Sequence, residues 1–369
     1  MLMDSDETFW LWSSARGVYP VNTESLEAST GLMGTKSGLS SCFALSSDGV
    51  HVITNQSAGE VAYKTFDSTS GKVVVSSSVP ADTWTDGHQE RAAATCFAPS
   101  SHESKMWSLT LYQGSVQAIY AGKPAHNLKL PSGCGLNGTV GSPLLVNNVI
   151  VAYASCGGQL PDTLVAWSLA DGVAEEPLWS LPTGFIDPVA SDYVPARAAG
   201  TAVLWQNNYE NEPAKQLGAV DSHSGKALWT RSIDTPSDGI LSASPFGVLI
   251  FTAQNCTFSA VKPDDGTLLW SFDASDAGSC TILAQYAMIN PEDAGGALLV
   301  WKNTGQTLLL QISPNGTVLQ QVDFSQVFGP SILPPNGANV LVTSDGGAVI
   351  FLGSPDRLVR LKGSASKRD

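Results

Sequence analysis

Six cysteines give the chain its most reactive side chains, and their placement suits disulfide formation better than metal binding. None belongs to a Cys-x-x-Cys pair. The five histidines, His51, His88, His102, His126 and His223, show no ligand spacing such as two His four apart, so zinc is not expected. Asp264-Asp265-Gly266 and Asp345-Gly346-Gly347 lack the alternating carboxylates and distant Glu of a calcium loop; both read as turns, where Asp and Gly supply side-chain to backbone bonds and positive φ. No Gly-x-Ser-x-Gly, phosphate-binding loop or dinucleotide fingerprint occurs, which leaves hydrolase, NTPase and Rossmann chemistry without support.

A second chemistry is modification. Asn55-Gln56-Ser57, Asn137-Gly138-Thr139, Asn255-Cys256-Thr257 and Asn315-Gly316-Thr317 are N-glycosylation acceptors at predicted turns or strand ends. With the even cysteine count they point to an oxidising setting, the lumen of the secretory pathway or the extracellular space. The start, Met1 to Glu7, has neither the basic nor the apolar region of a signal peptide, so this reading expects a native N-terminus further upstream.

Composition narrows the class of partner. With 33 acidic against 19 basic residues the formal charge is −14, which repels a phosphate backbone and excludes nucleic-acid binding. The longest apolar stretch, Pro143 to Ala154, is interrupted by Asn147 and Asn148, so no membrane span is expected. A hydrophobic fraction of 43% with only 14% charged residues fits a well-buried globular protein.

The elements that position these residues repeat. Ala219-Val220-Asp221-Ser222-His223-Ser224-Gly225 is followed after three residues by Trp229, and Ala260 to Gly266 is followed at the same distance by Trp270. Thr65 to Gly71 keeps the frame with Val75 in the Trp place. Ala166 to Gly172 keeps it with Trp179 delayed by an insertion, and Leu310 to Gly316 with Gln320. The glycines recur at about 40 to 55 residues, the period of four-stranded propeller blades. Before each corner lies a turn and a β-branched run, as in Asn147-Asn148 before Val149 to Tyr153, or Gly247 before Val248 to Thr252.

These patterns predict an all-β closed β-propeller of four-stranded blades with almost no helix. The units fall near residues 1–36, 42–80, 95–130, 139–182, 197–235, 240–274, 283–324 and 330–363, which makes eight. The first and third carry only fragments of the corner, at Gly17 and Gly122, so seven is the alternative. Residues 1–363 form one domain on this reading and 364–369 a flexible C-terminal tail. Ring closure requires the terminal strands to share or abut one blade, because an open array leaves edge strands unpaired.

The corner, with its small residue, apolar residue, Asp, turn ending in Gly-Lys or Gly-Thr, two apolar residues and Trp, resembles the repeat of PQQ-like β-propellers, the quinoprotein alcohol dehydrogenase-like superfamily. The resemblance covers most of the chain. It implies that Trp179, Trp229 and Trp270 each dock on a neighbouring blade. Catalytic members hold the quinone under an adjacent-cysteine disulfide with calcium on Glu, Asn and Asp, and this chain has no Cys-Cys pair and no set that matches. The resemblance therefore implies a non-enzymatic scaffold or protein-interaction module with no cofactor. The alternative is a PQQ-dependent oxidoreductase with an atypical site in the central funnel, which would require PQQ with calcium.

Strand parity places chemistry on one face. In a four-stranded blade the B–C and D–A connections emerge together, so Cys134 with Cys156 and Cys256 with Cys280 are expected to form disulfides; Cys42 and Cys96, at the start of innermost strands of adjacent blades, are a less defined pair. The long connections, Ala81 to Thr95, Thr183 to Arg197 and Gln206 to Lys215, emerge on the same face. They carry Trp84, His88, Glu90, Arg91, Phe185, Asp187, Tyr193, Tyr209, Glu210 and Glu212. Aromatics interleaved with charge on surface loops give anchoring area together with polar specificity, so these residues are the candidate binding site for another protein or a polysaccharide.

Overall fold

A run such as Val149-Ile-Val-Ala-Tyr-Ala154 has two apolar faces, which only a strand packed on both sides can bury, and the fold is built from such strands. In a computed structural model of the chain the described residues lie between 2 and 361 and comprise the strands and some of the tight turns between them. Connections such as 97–106, 155–161, 185–195, 208–215 and 274–286, and the tail 362–369, lie outside them. Every element in the described order is a β-strand, and no described helix is long and apolar enough to cross a membrane.

The strands form antiparallel meanders spanning residues 2–22, 40–80, 94–128, 141–184, 196–232, 239–273, 287–323 and 339–361. The first and last are three-stranded and the six between them four-stranded; a two-stranded hairpin, Thr83–Asp86 with Gln89–Ala92, stands between the second and third. Each stretch marked out by the repeat holds one sheet. The first strand of every sheet lies against the first strand of the next, from the first sheet to the eighth. Among the described residues the two terminal sheets show three strands each, where four were expected, and no strand pairing joins one to the other.

The core sits between sheets, not within one. Along Val149–Ala154 all six residues are buried, and they divide by alternation. Ile150, Ala152 and Ala154 pack with Val116, Ala118 and Leu128 of the third sheet, while Val149, Val151 and Tyr153 pack with Val203, Trp205 and Val220 of the fifth. Gly247–Thr252 does the same one step on, with Val248 and Ile250 facing the fifth sheet and Leu249 and Phe251 the seventh. Each such side chain is worth about 1.5–3 kcal/mol of burial, so cohesion is mainly a property of neighbouring pairs of sheets.

The predicted turn chemistry is present. Asn147 and Asn148 have φ of 49° and 61° and join Val146 to Val149 in a two-residue hairpin, the geometry for which Asn is selected. At the repeated corners Gly225, Gly266 and Gly316 have φ of 65°, 69° and 83°, a left-handed region that glycine enters without strain.

Candidate functional site

The corner positions the tryptophans through a bulge. Ala219 pairs with Trp229 and Val220 with Ala227, so Leu228 is the extra residue of the outer strand; Ala260 pairs with Trp270 and Val261 with Leu268 in the same way. Where Trp is absent the register keeps the frame at Thr65, which pairs with Val75, but not in the seventh sheet, where Gln320 pairs with Gln311 and Leu310 with Gln321, one residue out. It also adds a position that the sequence reading missed. Ala118 pairs with His126 across an identical bulge, which puts a histidine in the Trp place of the third sheet. The clue was Pro124-Ala125-His126, and it was hidden because this unit lacks the corner glycine pattern. Burial lowers the His126 pKa from its ordinary value.

From that place each indole crosses to the next sheet. Trp179 donates its Nε1–H to the Ser222 carbonyl at 2.8 Å, and Trp229 donates to the Pro263 carbonyl at 2.7 Å. The corner glycines form the receiving surface. A Cβ on Gly225 would lie 2.7 Å from Trp179 Cγ, one on Gly266 would lie 2.8 Å from Trp229 Cγ, and one on Gly316 would lie 2.7 Å from Trp270 Cβ. One glycine thus serves both its own turn and its neighbour's indole. Trp179, Trp229 and Trp270 thus lie against Gly225, Gly266 and Gly316 of the neighbouring unit. Arg231 completes the joint, with its guanidinium carbon 5.9 Å from the Trp229 ring centroid and its Nη2 donating to the Gly266 carbonyl.

Nearer the first strands the stitches are different. Gln206 Oε1 accepts from the Ile240 N–H at 2.7 Å, and Ser242 Oγ accepts from the Ile289 N–H at 3.2 Å, so the fifth, sixth and seventh sheets are joined at both ends. Buried Trp167 donates to the Lys129 carbonyl at 2.9 Å, tying the fourth sheet back to the third.

Within the fifth corner Asp221 Oδ1 accepts from Ser224 Oγ at 2.7 Å and from the Ser224 N–H at 2.8 Å. These bonds, the hydroxyl first, hold the Asp221 carboxyl below its ordinary range. A depressed folded pKa means that the stabilisation is present above the unfolded value and lost as pH falls through the folded one. Asp221→Ala is therefore expected to cost about 1 kcal/mol at pH 7 and progressively less as pH falls below the ordinary carboxylate range. Urea titrations at pH 7 and through the acid range check this.

The long-connection face is only partly described. Ala81 to Thr95, read from sequence as an open loop, contains the hairpin Thr83–Asp86/Gln89–Ala92, in which Trp84 is opposite Arg91 and Thr85 opposite Glu90. Its second strand lies against Gly49–Ser57 of the second sheet. Each strand of this hairpin is only four residues long, too short for apolar–polar alternation to set it apart from a loop in the sequence. His88, Phe185, Asp187, Tyr193, Tyr209, Glu210 and Glu212 lie outside the described residues.

Cys134 and Cys256 are both disulfide-bonded, and no described cysteine is free. Cys156 and Cys280 lie outside the described residues. Cys256 sits immediately before the strand Thr257–Val261, and Cys96 ends the strand Ala94–Cys96 instead of starting it. Among the described residues no three His, Cys, Asp or Glu side chains are grouped so as to hold a metal ion.

With this geometry in place, the likenesses to known proteins fall into order. The family model of outer membrane protein assembly factor BamB matches residues 213–309, which span the Trp229–Gly266 and Trp270 corners. Among solved structures, BamB from Moraxella catarrhalis superposes with a TM-score of 0.52 at 12% identity, over 100% of this chain and 97% of that one. Hsv2 of Kluyveromyces lactis gives 0.48 at 11% identity, over 86% and 91%. A europium-containing methanol dehydrogenase gives 0.48 at 11%, over 88% and 80%. No curated protein matches by sequence. The chain has the PQQ-like β-propeller repeat fold.

Proposed function

We propose that this protein is a non-enzymatic scaffold, an eight-bladed closed propeller that binds another protein or a polysaccharide through its long-connection face. The observation that carries the reading is the division of labour in the repeat. The residues that recur, the tryptophans and the corner glycines, are used in joining sheet to sheet, whereas the residues that break the repeat are inserted between sheets. The Trp84–Arg91 hairpin is such an insertion, and an ordered insertion costs conformational entropy that a purely architectural role would not require. The matched family model is described as an assembly factor, which is in keeping with work on other proteins.

The compartment proposed is oxidising, the secretory lumen or the extracellular space, with Cys134–Cys156 and Cys256–Cys280 as the pairs. No cofactor enters this function. Alanine at Trp84, Tyr193 and Tyr209 is expected to abolish capture of a co-purifying partner at an unchanged melting temperature. Retained capture by the triple variant, or loss only with unfolding, would place the site elsewhere.

A further inference from the structure

Two consecutive corners end alike in Gly-Thr, and one of them spells a modification site; the seventh is one residue shorter, since the Gly316 N–H reaches the Ser313 carbonyl where the Gly266 N–H reaches that of Lys262. The sixth sheet has Asp265-Gly266-Thr267 and the seventh Asn315-Gly316-Thr317, with glycine φ of 69° and 83°. In the sixth, the Thr267 N–H donates to Asp265 Oδ1 at 2.8 Å; in the seventh, the Thr317 N–H donates to Ser313 Oγ at 3.0 Å and also lies 3.4 Å from Asn315 Oδ1. The fifth corner places Ser224 at the equivalent position. The turn therefore asks for a side-chain oxygen there and is satisfied by Asp, Ser or Asn alike. An amide nitrogen is more than the turn requires.

That nitrogen is suitably placed. Both bonds to the Asn315 side chain, from Ser313 Oγ and from the Thr317 N–H, use Oδ1 and not Nδ2. Asn315 and Thr317 are exposed at the tip. Immediately beyond lie Val318 and Leu319, which are 37% and 54% exposed, an apolar pair at the open edge of an outer strand. Exposed apolar edge strands invite association, and a bulky hydrophilic group beside one blocks it.

We infer that Asn315 carries an N-linked glycan that covers the Val318–Leu319 edge. This rests on the oxidising, secretory reading above. The donor is an oligosaccharide on a polyprenyl diphosphate. Asn315 Nδ2 bonds to the sugar C1, the C1–O bond to the diphosphate breaks with its electron pair leaving on the diphosphate, and one Nδ2 proton passes to a base. Thr317 supplies the hydroxyl of the acceptor motif.

The test uses the full chain sent through the secretory pathway of a eukaryotic cell on a cleavable leader. Peptide mapping after treatment with a glycan-releasing amidase, which converts a glycosylated Asn to Asp, reads occupancy at position 315. Conversion there in most molecules is expected, with the glycan lost in Asn315→Asp and Thr317→Ala and kept in Thr317→Ser. Asn315→Asp is also expected to melt with the enzymatically deglycosylated protein, because Asp265 already fills the matching place. An unmodified Asn315 in secreted, folded protein overturns the inference even where Asn55, Asn137 or Asn255 carries sugar. A large loss of stability in Asn315→Asp overturns it too, since the amide would then be structural. The compartment reading fails by a separate measurement: native protein recovered from a reducing compartment with all cysteines alkylatable refutes that reading and the natural glycan with it.

Discussion

Replacing Trp229 with alanine is expected to cost about 3–5 kcal/mol, as large as any single side-chain effect in this fold. Trp229 is only 9% exposed, so its removal opens a cavity between the fifth and sixth sheets. Three further interactions go with it: the Nε1–H bond to the Pro263 carbonyl, the packing against Gly266 and the seat of the Arg231 guanidinium. Trp229→Phe keeps much of the area but leaves the Pro263 carbonyl without its donor, and about 1–2 kcal/mol is expected. Gly266→Val attacks the same joint from the other side. Its Cβ would stand 2.8 Å from Trp229 Cγ at a φ that a β-branched residue does not tolerate. Chemical denaturation of the three variants should rank Ala and Val well below Phe. An alanine variant within about 1 kcal/mol of the parent would mean that the joint does not hold the sheets together.

Much of this joint was legible in the sequence because a tight corner restricts residue type. Only glycine takes the left-handed φ at positions 225, 266 and 316, and only a large ring with a donor spans to the next corner carbonyl, so both recur at fixed spacing. Sheet limits followed for the same reason: Asn147-Asn148 and Gly247 begin strands that alternate between two cores. Where the chain departs from the repeat, that leverage is lost. His126 occupies the Trp place without the corner glycine that would have marked it, and register alone reveals it. The Trp84–Arg91 hairpin has strands of four residues, too short for alternation to distinguish them from a loop. Binding residues are harder still, because a surface loop is under no packing constraint that fixes residue type at a given spacing.

Reduction of the proposed Cys134–Cys156 and Cys256–Cys280 bridges is expected to be the other large effect. Each would close a loop of about 22 to 24 residues, for which restriction of the unfolded chain gives about 3 kcal/mol. The two ends differ in what else depends on them. Cys256 is 5% exposed in the core shared with Phe251, Phe258 and Leu310, and its backbone sits at φ 51°, a conformation that costs an L-residue about 1–2 kcal/mol. Cys134 lies in a connection held by its own N–H to the Pro131 carbonyl at 3.1 Å. Cys256→Ala should therefore lose more than Cys134→Ala, because it forfeits packing as well as the bridge while the strained backbone remains. Cys256→Gly separates these contributions, since glycine relieves the strain and restores neither packing nor bridge. Peptide mapping without reduction tests the pairing directly. Finding Cys134 joined to Cys280, or Cys156 to Cys256, would refute the parity argument that places B–C and D–A connections of one blade side by side.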